Sequence, residues 1–130
     1  MNNSQIEKIG IKIVEEFERE KGRIQQERVH KCGYDLRTTN TDGSDERHIE
    51  IKTTSKKKFN QRWLEELEQK RLETDDLFYV YLVTNCGKGN EEIKVLNKEN
   101  LEPLFSRVVK HFYYDFGKLQ EQDESETRLA

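Results

Sequence analysis

The sequence predicts an α/β (α+β) domain, a mixed β-sheet flanked by helices, with about four to six strands. Two observations carry this. Helical and strand periodicities follow one another in the order helix, strands, helix, strands. Residues 77–84 (Leu-Phe-Tyr-Val-Tyr-Leu-Val-Thr) form an almost continuous apolar and β-branched run, the pattern of a central strand buried on both faces.

The first helix is marked by Ile6, Ile9, Ile13, Val14 and Phe17, with Asn3 or Ser4 as cap and Gly22 as stop. At about 100° per residue most of these side chains share one face, and Glu18 falls at its edge, between Val14 and Ile11. Residue preference alone reads such a glutamate as solvated surface. Residues 28–32 read as either a short strand or an extended approach, broken by Gly33. A strand is expected over 34–39, a turn from Asn40 to Asp45 carried by Thr41-Asp42-Gly43-Ser44, and a second strand over 48–54, the two strands forming a hairpin. After the basic run Lys56-Lys57-Lys58, a second helix is expected from Phe59 to Leu72, with Trp63 in its core. A turn at 85–90, a strand over 93–96, a helical turn from Asn97 and a strand over 107–116 complete the elements.

The chain has 130 residues, enough to bury a core without staples, and reads as one domain over residues 1–118. Residues 119–130 are polar and charged, and disorder is expected there. Apolar residues make up 32% and charged residues 38%, which predicts a compact centre with a charged periphery. The net charge of −3 gives no global drive toward nucleic acid, so any such binding needs a local basic patch. Cys32 and Cys86 are far apart and His30, His48 and His111 are scattered, which argues against disulfides and against a zinc site. With no signal-like or membrane-spanning stretch, a cytoplasmic location and no membrane partner are expected.

The chemistry is expected in the hairpin. Alternation sends Ile49 and Ile51 into the core and Glu50 and Lys52 together to the other face. By the same rule Tyr34 and Leu36 point inward and Asp35 outward, so pairing brings Asp35 near Glu50. Two clustered carboxylates suit a hard divalent cation, and an adjacent ammonium can orient water and stabilise charge on a phosphate. On spacing alone, Glu-x-Lys is also the ordinary pattern of a solvated strand face with an ion pair.

Three stretches add context: Phe17-Glu18-Arg19-Glu20-Lys21-Gly22-Arg23, Gly33-Tyr34-Asp35-Leu36 and Ile49-Glu50-Ile51-Lys52. Together, over roughly residues 10 to 100, the sequence resembles the C-terminal domain family named after the plant protein NO VEIN, which occurs at the ends of helicase-like and restriction-associated proteins. That family looks like a branch of the PD-(D/E)XK nuclease superfamily. The resemblance implies a restriction-endonuclease-like core over residues 1–118. It implies Mg²⁺ (or Mn²⁺) held by Asp35, Glu50 and Glu18, with Lys52 as catalytic lysine, and hydrolysis of phosphodiester bonds in DNA. The helix opening with Thr-x-Asn-Glu in relatives is replaced here by Phe59-Asn60-Gln61-Arg62, without the glutamate. Gln61 is either a polar substitute or an exposed helix residue. Lys56, Lys57, Lys58 and Arg62 are either a phosphate-contacting edge or a solubilising run. The alternative reading is a non-catalytic nucleic-acid- or protein-binding module that keeps the fold. So small a domain has little surface for target selection, and a homodimer or a separate partner is expected to supply it.

Overall fold

The computed structural model describes residues 1–28, 33–59, 61–63, 66–102, 105–108, 111–116 and 126–129, with backbone alone at 61–63, 66–69, 105–108, 111–115 and 126–129. The elements in order are α1 (Asn3–Glu20), β1 (Ile24–Gln26), β2 (Leu36–Thr39), β3 (Arg47–Thr53), β4 (Gln61–Trp63), α2 (Glu66–Thr74), β5 (Phe78–Thr84), β6 (Glu92–Leu96), α3 (Lys98–Leu101), β7 (Phe105–Val108), β8 (His111–Asp115) and β9 (Glu126–Leu129). They form a six-stranded mixed sheet, β1-β2-β3-β5-β6-β9, and a three-stranded sheet, β4-β8-β7. The expected α+β architecture is therefore present. In the large sheet β3 and β5 run parallel and the other pairings are antiparallel.

Helix α1 is capped by Asn2, one residue before the expected positions. The Asn2 side chain accepts from the Gln5 N–H while the Gln5 side chain accepts from the Asn2 N–H, a reciprocal capping box. It ends as the glycine predicts. Gly22 at φ +77° lets its own N–H reach Arg19 O (2.9 Å) and the Arg23 N–H reach Glu18 O (2.9 Å). These two bonds satisfy carbonyls that the helix end would otherwise leave bare. A second glycine sets the packing distance. A Cβ on Gly10 would lie 2.1 Å from the Thr53 Cγ2 atom, so only glycine lets α1 lie this close to β3.

The sheet has a core on each side. One holds Val14 and Phe17 of α1 against Leu36, Ile49, Ile51, Tyr81, Val83, Ile93 and Val95. The other holds Tyr34, Phe59, Leu72, Phe78, Val80, Leu82, Leu96, Leu101 and Phe116. The β5 residues alternate strictly between the two, which is why the sequence reads there as continuously apolar. The hairpin of β2 and β3 also matches the expectation, with Leu36 opposite Ile49. Its turn uses Gly43 at φ +83° and Asp45 at φ 49°.

Four expectations are corrected, and one strand was not foreseen. Strand β1, too short and polar to show a period, pairs with β2. The helix expected from Phe59 begins at Glu66, and Gln61–Trp63 is strand β4, paired with β8. The strand expected over 107–116 is the two-stranded hairpin β7–β8, because its β-branched and aromatic composition does not mark where a chain turns. The terminal segment expected to be disordered contains β9, held by backbone pairing to the edge of β6, which needs little apolar sequence. Tyr34 and Leu36 do not share a face: each belongs to a different core, because the chain bends at Asp35 before β2 starts. The stretch expected as a strand or extended approach at 28–32, together with Cys32, lies largely outside the described residues. Among the described residues, no helix is long and apolar enough to cross a membrane.

The end of α1 is tied to the hairpin by one side chain. Arg23, buried, donates from Nε to Glu18 Oε1 (2.9 Å), from Nη1 to Asp45 Oδ2 (2.8 Å) and Asn40 Oδ1 (3.2 Å), and from Nη2 to Asp45 O (2.6 Å) and Thr38 Oγ1 (3.1 Å). Removing it strands the Glu18 carboxylate in the interior. We expect Arg23→Ala to cost about 3–5 kcal/mol, as for one partner of a buried pair. Asp45, with its side chain 47% exposed, should cost under about 1 kcal/mol when changed to Ala. Urea unfolding of the two variants checks the ordering, and equal losses would show that the pair is not the anchor.

Candidate functional site

On β3, Ile49 and Ile51 pack toward α1, so alternation turns His48, Glu50 and Lys52 toward the opposite face. That face is covered by the second core, and the polar residues are consequently enclosed. The Glu50 and Lys52 side chains are only 8% and 14% exposed, and Lys52 Nζ lies 3.3 Å from Glu50 Oε2. A carboxylate so enclosed is tolerated because an ammonium lies beside it. Their neighbours on parallel β5 are Val80 and Leu82, which give the pair an apolar floor.

Asp35 reaches the same stretch from the neighbouring strand. Its N–H donates to Ile49 O (2.8 Å) and its Oδ2 accepts from the Ile51 N–H (2.8 Å). The carboxylate is thus pinned to the β3 backbone between Glu50 and Lys52. The structure brings three of the residues singled out in the sequence, Asp35, Glu50 and Lys52, to one short segment of β3.

Glu18 is not among them, and this corrects the expected acidic cluster. Its carboxylate lies on the α1 side of the sheet and is buried. It accepts from Thr38 Oγ1 (2.7 Å) and Arg23 Nε (2.9 Å) at Oε1, and from Tyr81 Oη (3.1 Å) at Oε2. The sheet stands between it and Glu50. The physical reason is Arg23: a buried guanidinium needs a carboxylate, and Glu18 is the one that the end of α1 supplies. Burial and the nearby Glu18 carboxylate push the Tyr81 hydroxyl well above its ordinary range, so it remains a donor to Glu18 while it accepts from Arg47 Nη1 (2.7 Å).

Lys56, Lys57 and Lys58 are exposed in the loop that leaves β3. Lys57 and Lys58 stand at the rim of an open pocket beside β5 and β6. Gln61 and Arg62 belong to β4, opposite Asp115 and Tyr114, and their side chains lie outside the described residues.

One constellation escaped the sequence reading. His48 stacks on Tyr34 with ring centroids 4.5 Å apart and 5° between planes, and Arg71 lies over the other ring at 5.4 Å. Asp75 Oδ2 lies 2.5 Å from His48 Nδ1, and Glu46 Oε2 lies 2.5 Å from Nε2. Tyr34 precedes Asp35, and His48 lies two residues before Glu50 on the same face. The stack therefore fixes the segment that carries Asp35 against the strand that carries Glu50. Alternation could have placed His48 beside Glu50, but nothing local in the sequence announces Asp75, 27 residues away.

As a donor set, two carboxylates with room for water and phosphate oxygens suit Mg²⁺ or Mn²⁺, which keep several of their own waters. Asp35 and Glu50 supply two carboxylates, with the Glu50 side chain only 8% exposed. Among the described residues, no group of three or more His, Cys, Asp or Glu side chains is arranged to hold a metal ion.

The acid limb of stability should report the His48 array. Hydrogen bonds from Arg37 and His48 hold the Glu46 carboxyl down at about 2, against an ordinary 4.5. A depressed carboxyl stabilises the fold above its unfolded value and loses that contribution as pH falls through its folded one. The Glu46 share is therefore present above pH 4.5 and lost between about 4.5 and 2. Melting temperature against pH should fall less steeply in that window for Glu46→Gln, the difference being on the order of 1–2 kcal/mol after solvent screening. Parallel curves for variant and wild type would remove Glu46 from the array.

The chain matches no curated protein and no solved structure. A family model, described as Protein NO VEIN, C-terminal, matches residues 6–96. The match takes in α1, the Glu18–Arg23 lock, the hairpin bearing Asp35, Glu50 and Lys52, and the central strands β5 and β6. The chain belongs to the NO VEIN C-terminal domain family.

Proposed function

We propose that this domain is a Mg²⁺- or Mn²⁺-dependent endonuclease of the PD-(D/E)XK type that hydrolyses phosphodiester bonds in DNA, in a restriction or defence setting. The observation that carries the reading is the Asp35 carboxylate bonded to the Ile51 N–H, between Glu50 and its ion-pair partner Lys52. Asp35 and Glu50 would hold the metal ion, which when bound supplies Lewis acidity at the phosphate. The Lys52 ammonium, kept beside Glu50 over an apolar floor, orients the attacking water and stabilises charge that builds on the phosphate oxygens. A partly buried site makes such charge interactions stronger than they would be in water. Lys56, Lys57 and Lys58 offer phosphate contacts next to that centre.

A second reading has its own support. With Glu18 on the other side of the sheet, the centre has two carboxylates where the resemblance implied three, and Gln61 stands in a stretch where relatives carry a glutamate. A nucleic-acid- or protein-binding module that keeps the fold without cleaving would show these features.

Nicking of supercoiled plasmid in Mg²⁺ or Mn²⁺ separates the two. Glu50→Gln and Lys52→Ala should each lower the rate by about 10²-fold or more, the usual effect of removing one such electrostatic group. Glu18→Gln should lose stability but, assayed well below its melting temperature, nick within a few-fold of wild type. Equal nicking by wild type, Glu50→Gln and Lys52→Ala would discard the nuclease reading. Target selection is expected from a homodimer or a separate partner protein. Sedimentation velocity that finds a strict monomer at all concentrations would leave only the partner.

A further inference from the structure

The pocket at the rim of the Lys57–Lys58 loop has a composition that the proposed cleavage centre does not explain. It is open, with an empty volume of ≈ 490 Å³, solvent included. Its floor is Leu82, Phe59 and Phe116, all buried; the two phenylalanine rings meet edge to face at 6.0 Å. Its walls carry Lys94, Thr84 and Glu92 on the same face of β5 and β6. Three ammonium groups, those of Lys57, Lys58 and Lys94, thus face one carboxylate in a chain whose net charge is −3. Cationic character is concentrated here against the global balance.

Its position is set by strand register. Lys52 lies opposite Leu82 across β3 and β5, and Leu82 lies opposite Lys94 across β5 and β6. The row Lys52–Leu82–Lys94 spans two strand spacings, about 10 Å. The pocket therefore adjoins the Glu50–Lys52 pair along the sheet. It also stands at the carboxyl ends of the parallel strands β3 and β5.

We propose that this pocket takes one unpaired nucleotide of a single-stranded DNA, the nucleotide adjoining the phosphate held at Asp35, Glu50 and Lys52; the assignment rests on reading that face as the nucleic-acid face. Charge complementarity selects a polyanion. The apolar floor selects a base that is out of its stack, since a duplex offers a surface base edges, sugar and phosphate but keeps its base faces stacked, away from a recessed aromatic floor. Lys57, Lys58 and Lys94 meet the phosphates at the rim. Thr84 and Glu92 meet the polar edge of the base, where a carboxylate accepts from an amino or ring N–H group. A duplex would have to extrude a base at a cost of a few kcal/mol, so the chain should prefer DNA that is already unpaired.

Fluorescence anisotropy on the full chain tests this, with a labelled single strand and the matching duplex at low salt and without divalent metal. The single strand should bind about 10-fold more tightly than the duplex, within the range that one stacked base supplies. Lys94→Glu, and Thr84→Trp, which fills the pocket, should each weaken single-strand binding by about 10-fold and duplex binding by less than about 3-fold. Melting curves establish that each variant is folded, and if Thr84→Trp does not fold, Lys94→Glu decides alone. Equal affinity for the two forms of DNA, or a folded Lys94→Glu that binds single strand like wild type, overturns the assignment. The plasmid assay fails independently. Metal-dependent nicking without single-strand preference ends the pocket assignment and leaves the nuclease reading. Single-strand preference that depends on Lys94, without nicking, does the reverse.

Discussion

Strand β3 has a core on each side, and most of the molecule follows from that. Ile49 and Ile51 contact α1, while Glu50 and Lys52 on the other face are enclosed by a second apolar cluster instead of meeting water. A strand in that position must satisfy its polar side chains within the protein. Glu50 does so with Lys52, and His48 with Asp75 and Glu46. Asp35 does so with the β3 backbone itself. The candidate site is thus the part of the second core where polar groups replace apolar ones, and its rigidity is that of the sheet.

The two sides of the sheet solve similar electrostatic problems for different ends. On the α1 side, Glu18 is surrounded by three donors: Arg23, Thr38 and Tyr81. A carboxylate satisfied so fully has its oxygens committed, and its work is to hold the end of α1 against the β2–β3 hairpin. On the other side, Glu50 has an ammonium neighbour that a competing cation could displace, and Asp35 is anchored through Oδ2. The first arrangement is a lock, and the second sets two carboxylates and an ammonium along one short stretch of sheet. The Glu-Arg-x-x-Gly-Arg helix end therefore acts as structure: its glutamate and its last arginine pair with each other, and its glycine makes the turn between them.

Much of this was legible in the sequence wherever a period was long enough to read. The face shared by Glu50 and Lys52 follows from alternation with Ile49 and Ile51, and the central position of β5 follows from its unbroken apolar run. The reading failed where identity and geometry separate. The wheel correctly put Glu18 at the edge of an apolar face, but it could not say to which side of a sheet that edge would turn, and Arg23 decided that. Alternation from Tyr34 to Leu36 assumed a strand where the chain bends, and the Asp35 carboxylate meets β3 at the Ile51 N–H. Strands β1, β4 and β9 are three or four residues long and are defined by their partners, which no local pattern reveals.

The reassignment of Glu18 changes what the remaining residues must do. A hard cation held by two carboxylates has more of its coordination filled by water and phosphate, so its affinity depends more on substrate being present. Under the proposed nuclease reading, such a centre would be metal-poor at rest and would assemble with the nucleic acid. The lysines then matter beyond steering. With Lys52 inside the site and Lys57, Lys58 and Lys94 around the adjoining pocket, cationic groups that gripped a phosphate backbone would also bring the oxygen ligands that two carboxylates leave missing. On that reading metal binding and nucleic-acid binding would be linked on one face, and by linkage each would strengthen the other by the same factor.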